Sequence, residues 1–182
     1  MKVKQKVART KPLLSAEALW DFAVKALAAR ASSTGELRRK LVQKAELASD
    51  VEDIITRLRE YGYLNDRRFA ESYAGFRLEN QGLGKLRVLR DLRQRKVSDG
   101  LAEGAVNHIY QNVDEMDLIE SFIRRRFRPK TPLPEALQDP NQLAAAYRKL
   151  IRAGFSSGHV IQALKRISKT HDLLDAFEPP EE

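Results

Sequence analysis

The amino-acid sequence predicts an all-α protein, with three tandem three-helix repeats forming an elongated, curved array. Three observations carry this expectation. Apolar residues recur at intervals of three and four, the period of a helix face. No segment alternates apolar and polar residues between hairpin turns; residues 2–7, the one short alternation, are charged and unpaired. One pattern of apolar positions also recurs three times along the chain.

The elements follow in order. Residues 1–13 read as a basic flexible tail. Leu19, Phe22, Ala23 and Ala26 then share a helical face, as do Val51, Ile54, Ile55 and Leu58. Gly62 ends a helix, Gly82 and Gly84 interrupt, and Ser98 and Ser156 stand where N-caps belong. Leu86, Leu89 and Leu92 make an apolar stripe, with Arg87, Arg90, Asp91 and Gln94 expected on the opposite side of the same helix. Leu41, Leu92 and Leu150 anchor the repeat. Ten residues beyond each anchor come Val51, Ala102 and Val160, and fourteen beyond come Ile55, Val106 and Leu164. Phe22 and Tyr73 each precede their anchor by nineteen. The expected organisation is repeat 1 over 14–64, repeat 2 over 65–111, repeat 3 over 112–170 and a C-terminal tail over 171–182. Residues 128–140 carry four prolines and read as a loop inserted in repeat 3. A unit of this size buries little alone, so neighbouring repeats must stack, and a stacked array offers a long surface rather than a pocket.

The composition narrows the chemistry. The 182 residues include no cysteine, which removes disulfides, thiolate zinc sites, iron–sulfur clusters and a cysteine nucleophile, and suits a reducing compartment. The longest run without a charged residue, 153–164, is too short to span a bilayer. The basic N-terminus lacks the apolar segment of a secretory signal, so a cytoplasmic location without a membrane partner is expected. There are 33 Lys and Arg against 25 Asp and Glu, a formal net charge of +8. The surplus is local: residues 1–14 hold five basic and no acidic groups, and residues 61–111 hold nine against six. Six cations, Lys85, Arg87, Arg90, Arg93, Arg95 and Lys96, fall within twelve residues, a concentration that points to a polyanionic partner. Arg124, Arg125 and Arg126 form a second run, and Arg148, Lys149 and Arg152 a third.

Three resemblances to catalytic or ligand sites fail on context. Residues 154–158 spell Gly-x-Ser-x-Gly, but a nucleophile elbow follows a strand and needs a histidine and an acid, whereas here a helix precedes it. Gly82-Leu83-Gly84-Lys85 lacks the remaining residues of a phosphate loop, although a phosphate near a helix start at Gly84 remains open. His108, His159 and His171 show no metal-ligand spacing, and Asp114, Glu115, Asp117 and Glu120 read as an acidic helix start. No catalytic residue, metal or cofactor is expected. Tyr63, Phe69 and Tyr73 suggest base stacking, but the repeat register places Tyr73 with Phe22 on a helix face, which favours core packing.

Gly62-Tyr63-Leu64-Asn65-Asp66 followed by Arg68-Phe69-Ala70 resembles the RecX family of recombinase regulators. Arg30-Ala31-Ser32-Ser33 with Glu36-Leu37-Arg38-Arg39-Lys40-Leu41, and Gly82-Leu83-Gly84 before Arg87 and Leu92, extend the resemblance from about residue 14 to about 167. It departs at Lys44-Ala45 and Lys96-Val97, where the family has Lys-Gly. The resemblance implies a non-catalytic monomer in the helical groove of the RecA–single-stranded DNA filament, inhibiting recombination and coprotease activity and so modulating DNA repair and the SOS response. Double-stranded DNA is a further candidate partner. In that picture Lys85, Arg87, Arg90, Arg93, Arg95, Lys96, Arg124, Arg125, Arg126, Arg148, Lys149 and Arg152 form a basic track for DNA or an acidic recombinase surface, and Gly62, Tyr63, Leu64, Asp66, Arg68, Phe69 and Ala70 shape a turn and a helix start. Two other readings stay open: a helix-turn-helix DNA regulator acting without a recombinase, and a non-catalytic protein-interaction scaffold.

Overall fold

The computed structural model describes residues 13–127 and 132–168. The expected tails, apart from residue 13, and residues 128–131 of the expected insertion lie outside them. Ten α-helices and an isolated parallel bridge between Leu14 and Ala45 make up the regular structure among the described residues. The chain divides into two compact units, residues 1–66 and 67–182.

In the first unit, α1 (Ala16–Ala29), α2 (Thr34–Val42) and α3 (Ala48–Glu60) enclose Leu19, Ala23, Leu37, Leu41, Val51, Ile54, Ile55, Leu58 and Leu64. Ser33 caps α2, its hydroxyl accepting the Glu36 N–H at 3.0 Å. The backbone of Leu14 pairs with Lys44 and Glu46, tying the start of the unit to the end of α2. Helix α3 stops in a Schellman turn: Gly62, at φ +73°, donates to the Arg59 carbonyl, and Tyr63 donates to that of Leu58.

In the second unit, α4 (Asp66–Phe76) ends in a π-helical turn, Arg77–Gln81. There follow α5 (Lys85–Gln94), α6 (Asp99–Ile109), α7 (Glu115–Arg126), the single turn α8 (Leu133–Ala136), α9 (Pro140–Arg152) and α10 (Ser157–Ser168). Two cores form here, one around Ala70, Val88, Leu92, Ala102 and Val106, the other around Ile119, Phe122, Leu150, Phe155, Val160 and Leu164. Leu83 and Leu118 pack against both, so the two cores share a wall.

The repeat register is visible in burial. Leu41, Leu92 and Leu150 are fully buried, as are Val51, Ala102 and Val160 ten residues on. Helix α5 ends in a Schellman turn with Lys96 in the left-handed region (φ +62°), and α9 ends in another with Gly154 at φ +93°. Part of the expected proline loop is ordered by packing. Ala136 and Leu137 are buried, and Pro140 opens α9, where its missing N–H costs nothing, behind an Asp139 N-cap.

Helix α5 is rotated relative to the expected stripe. Val88, Asp91 and Leu92 face inward, Leu89 is half-buried, and Leu86 is 53% exposed. Asp91, expected outside with the arginines, is 6% exposed because three donors meet it within the unit. Arg87 Nε and Arg77 Nη2 reach its two oxygens at 2.9 and 2.8 Å, and the Tyr73 hydroxyl donates at 3.1 Å. A buried carboxylate is tolerated only when so matched.

Candidate functional site

Gly62, Leu64, Asp66, Phe69 and Ala70 of the motif that carries the family resemblance are built into the fold. Gly62 supplies the left-handed stop of α3, Leu64 plugs the first core, and Asp66 Oδ1 accepts the Thr34 N–H at 2.7 Å, holding the start of α2. Ala70 is buried, Phe69 stacks on Tyr73 with centroids 6.1 Å apart, and Arg68 is exposed. Tyr63 does not pack inside: it is 61% exposed and meets Tyr61 edge-on. Phe22 and Tyr73 are half-buried rather than core, the former under Lys44 and the latter under the guanidinium groups of Arg77 and Arg95.

The cations named by the sequence fall into two groups. Arg87 spans Asp91 and the Arg152 carbonyl, which Nη1 reaches at 3.3 Å. Arg93 pairs with Asp99 at 2.7 Å and Glu103 at 2.9 Å, partners the sequence reading did not assign. Arg95 lies over Tyr73, Arg124 bonds the Ser121 hydroxyl, and Arg125 bonds the Ser121 carbonyl while covering Gly82 where a Cβ would stand. Each of these side chains has a partner within the unit, and Arg93, Arg124 and Arg125 remain exposed. Lys85, Arg90, Lys96, Arg126, Arg148 and Arg152 are exposed and have no ion-pair partner among the described residues. Lys149 is exposed too, its Nζ capping the Arg126 carbonyl at 2.7 Å beside the Phe127 ring.

Backbone contacts join the start of α5 to the end of α9. Gly84 N–H donates to the Ala153 carbonyl at 2.8 Å, and Leu86 N–H to that of Gly154 at 3.1 Å. The first turn of α5 therefore lies on the residues that end α9, and Arg87 reaches the Arg152 carbonyl across the contact. Both contact residues are glycines for a steric reason: a Cβ on Gly84 would stand 2.3 Å from the Gly154 carbonyl carbon, and one on Gly154 would stand 2.2 Å from the Arg87 nitrogen. The same contact takes the Gly84 and Leu86 N–H groups at the start of α5 into bonds with carbonyls. The two helices carry one acid, Asp91, and it is buried.

A second cluster went unread in the sequence. Glu115, at the start of α7, accepts from the Ser156 N–H at 2.9 Å and the Ser156 hydroxyl at 2.8 Å, and its Oε2 contacts His159 Nδ1. Serine, histidine and acid thus meet, but not as a nucleophilic relay. A relay places the serine on one ring nitrogen and the acid on the other, whereas here both crowd Nδ1, and the serine hydroxyl donates to the glutamate. The cluster clamps the start of α10 to the start of α7. Burial pushes the Glu115 carboxyl up, but the bonds from the Ser156 backbone, His159 and the Ser156 hydroxyl outweigh it and hold the group below its ordinary value. Ser156 therefore does not cap through its side chain as expected, and Ser98 caps α6 without a side-chain bond. No single sequence window could have shown the clamp, since its partners stand 41 and 44 residues apart.

Fold and site define a helical-repeat protein in which α5 and α9 carry exposed cations and no exposed acid. The profile of the RecX second three-helix domain matches residues 65–106. The chain is 32% identical over 155 residues to the regulatory protein RecX of Deinococcus radiodurans, covering 84% of this chain and 70% of that one. It is 31% identical to that of Pseudomonas entomophila, covering 82% and 88%. A crystal structure of RecX from Lactobacillus salivarius superimposes with a TM-score of 0.62 at 19% identity, over 85% of this chain and 97% of the other, which shows the shared fold. The chain belongs to the RecX family. Its relatives are named regulatory proteins, and no helix among the described residues is long and apolar enough to cross a membrane.

Proposed function

We propose that this protein binds the RecA–single-stranded DNA filament and restrains its recombinase and coprotease activities, acting by occupancy rather than catalysis. The observation that supports this reading most directly is the set of exposed cations on α5 and α9, Lys85, Arg90, Arg148, Lys149 and Arg152, on helices whose only acid is buried. Such a set draws a polyanion, and each phosphate or carboxylate matched by an arginine releases counterions. The repeats divide the work: the first holds eight acidic and eight basic groups over residues 15–60, and the surplus charge of the folded region sits beyond it. Residues 14–64, 65–111 and 112–170 serve as the three repeats of the array.

The test is capture of RecA by the tagged protein in the presence of single-stranded DNA and nucleotide, together with inhibition of the DNA-dependent ATPase. Arg90→Glu with Arg152→Glu is the right variant, since both side chains are exposed. Arg87→Glu would set a second carboxylate against Asp91 and confound binding with folding. The double variant is expected to inhibit at least tenfold more weakly, with the loss greatest at low salt. Unchanged inhibition by the folded variant removes these cations from the mechanism. Failure of the wild-type protein to capture RecA refutes the reading itself.

A further inference from the structure

In the first unit a row of aromatic rings lies at the surface. Trp20 of α1 meets Tyr61 edge-on, with centroids 6.1 Å apart and planes at 83°. Tyr61 meets Tyr63 in the same way, at 6.4 Å and 78°, and the Arg57 guanidinium lies over Trp20, 4.3 Å from the ring centroid. Trp20 packs against the first core. Tyr61 and Tyr63 belong to no core and are each 61% exposed, the most among the exposed large apolar side chains. The Schellman turn accounts for this: it sends Leu64 inward and leaves the tyrosines on either side of Gly62 outward. Apolar surface clustered in water in this way marks a contact site.

Charge and ring geometry separate the candidate occupants. Residues 15–60 hold eight acidic and eight basic groups. The charged residues within four positions of the three rings are Glu17, Asp21, Glu60 and Asp66 against Arg57, Arg59 and Arg67, so the rings carry no cationic excess around them. A phosphate backbone gains nothing at long range from such a surface, whereas the exposed cations of α5 and α9 attract one. Single-stranded bases stack on ring faces, one after another. Here neighbouring rings stand almost perpendicular and Arg57 covers one face of Trp20, so no two adjacent rings offer parallel faces. Tryptophan, tyrosine and arginine are, by contrast, the residues that dominate protein contacts. Rings braced edge-on against each other also lose little freedom on binding.

We infer that Trp20, Tyr61 and Tyr63 form a docking surface for an uncharged, aliphatic patch of a folded protein rather than for nucleic acid. The inference rests on the filament reading above, in which that protein is the recombinase component. Aliphatic side chains cover the ring faces and edges, while Arg57 and the tyrosine hydroxyls supply polar contacts at the rim. The work is thereby divided by chemistry: the neutral first repeat grips protein through apolar area, and the cations beyond it meet the polyanion.

The experiment compares wild type with Tyr61→Ser/Tyr63→Ser and with Tyr63→Ser alone, the milder change at the exposed end of the row, each checked for an unchanged melting temperature. Binding is measured by biolayer interferometry to biotinylated oligo(dT), bare and coated with recombinase. The double variant is expected to bind the coated DNA about thirtyfold more weakly, the size of losing one dominant contact residue. Tyr63→Ser should shift in the same direction, and both should bind bare DNA within about twofold of wild type. Trp20 is the single tryptophan of the chain, so its emission reports on this surface directly. It should not change when oligo(dT) is added or when the protein is concentrated. Equal losses on bare and coated DNA, or saturable quenching of Trp20 by oligo(dT), make this a nucleobase site and overturn the inference. A concentration-dependent change in emission that the variants lose makes it a self-association surface, with the same consequence. Variants that bind coated DNA as wild type does overturn this inference alone. Wild-type protein that fails to bind coated DNA overturns the filament reading and this inference together.

Discussion

Gly154→Ala tests the junction between α5 and α9. The left-handed φ of +93° costs an alanine about 1 kcal/mol. The new methyl would stand 2.2 Å from the Arg87 nitrogen and 2.4 Å from its Cβ, so one of the two segments must move. Movement weakens the Gly84–Ala153 and Leu86–Gly154 bonds, about 1 kcal/mol each. The expected loss is therefore about 3–4 kcal/mol, a large part of the stability of an ordinary domain. Gly158→Ala, four residues on, is the control: it lies in α10, a Cβ there meets nothing within 4 Å, and alanine should stabilise by about 0.5 kcal/mol. Urea unfolding followed by far-ultraviolet circular dichroism reads both, with the midpoint of the first falling by roughly 1.5–2 M for a slope of about 2 kcal/mol/M. A Gly154→Ala protein within about 1 kcal/mol of wild type, or a Gly158→Ala protein equally damaged, would refute the steric argument.

Three further outcomes are expected. Asp91→Ala strands Arg77, which is 23% exposed, and should cost about 3 kcal/mol in urea unfolding. Glu115→Gln should destabilise at neutral pH by about 1–2 kcal/mol. Because the folded carboxylate titrates below its ordinary value of 4.5, its contribution is present above that value and lost as the pH falls through the folded one. The gap between wild type and variant should accordingly narrow in acid, as melting curves across pH 3–7 would show. Lys96→Gly removes a left-handed lysine and should raise stability by about 1 kcal/mol, read as a higher melting temperature.

The repeat was legible because it is periodic and local. Leu41, Leu92 and Leu150 could be aligned by spacing alone, and all three are fully buried. The Gly62 stop was legible for the same reason, since a helix end is a short-range event. What escaped depends on which helices touch. Asp91 lies one position from Leu92, so periodicity alone does not place it inside; Arg77, fourteen residues away, draws it in. The Glu115 clamp and the Gly84–Gly154 contact join segments that no local pattern connects. The candidate cations were all visible as residue types. Which of them have partners depends on distant or neighbouring residues, such as Asp99 and Glu103 for Arg93. Leu86 was assigned inward by its spacing, and the rotation of α5 about Asp91 turned it out.

The bond between Gly84 and Ala153 also orders events in time. On the ribosome, α5 emerges about seventy residues before its acceptor does, an interval of roughly 4–14 s at ordinary elongation rates of 5–20 residues per second. Throughout it, Leu83 lacks the second of the two cores it packs against. The nascent second repeat must wait, exposed to chaperones and proteases, until its successor has been translated.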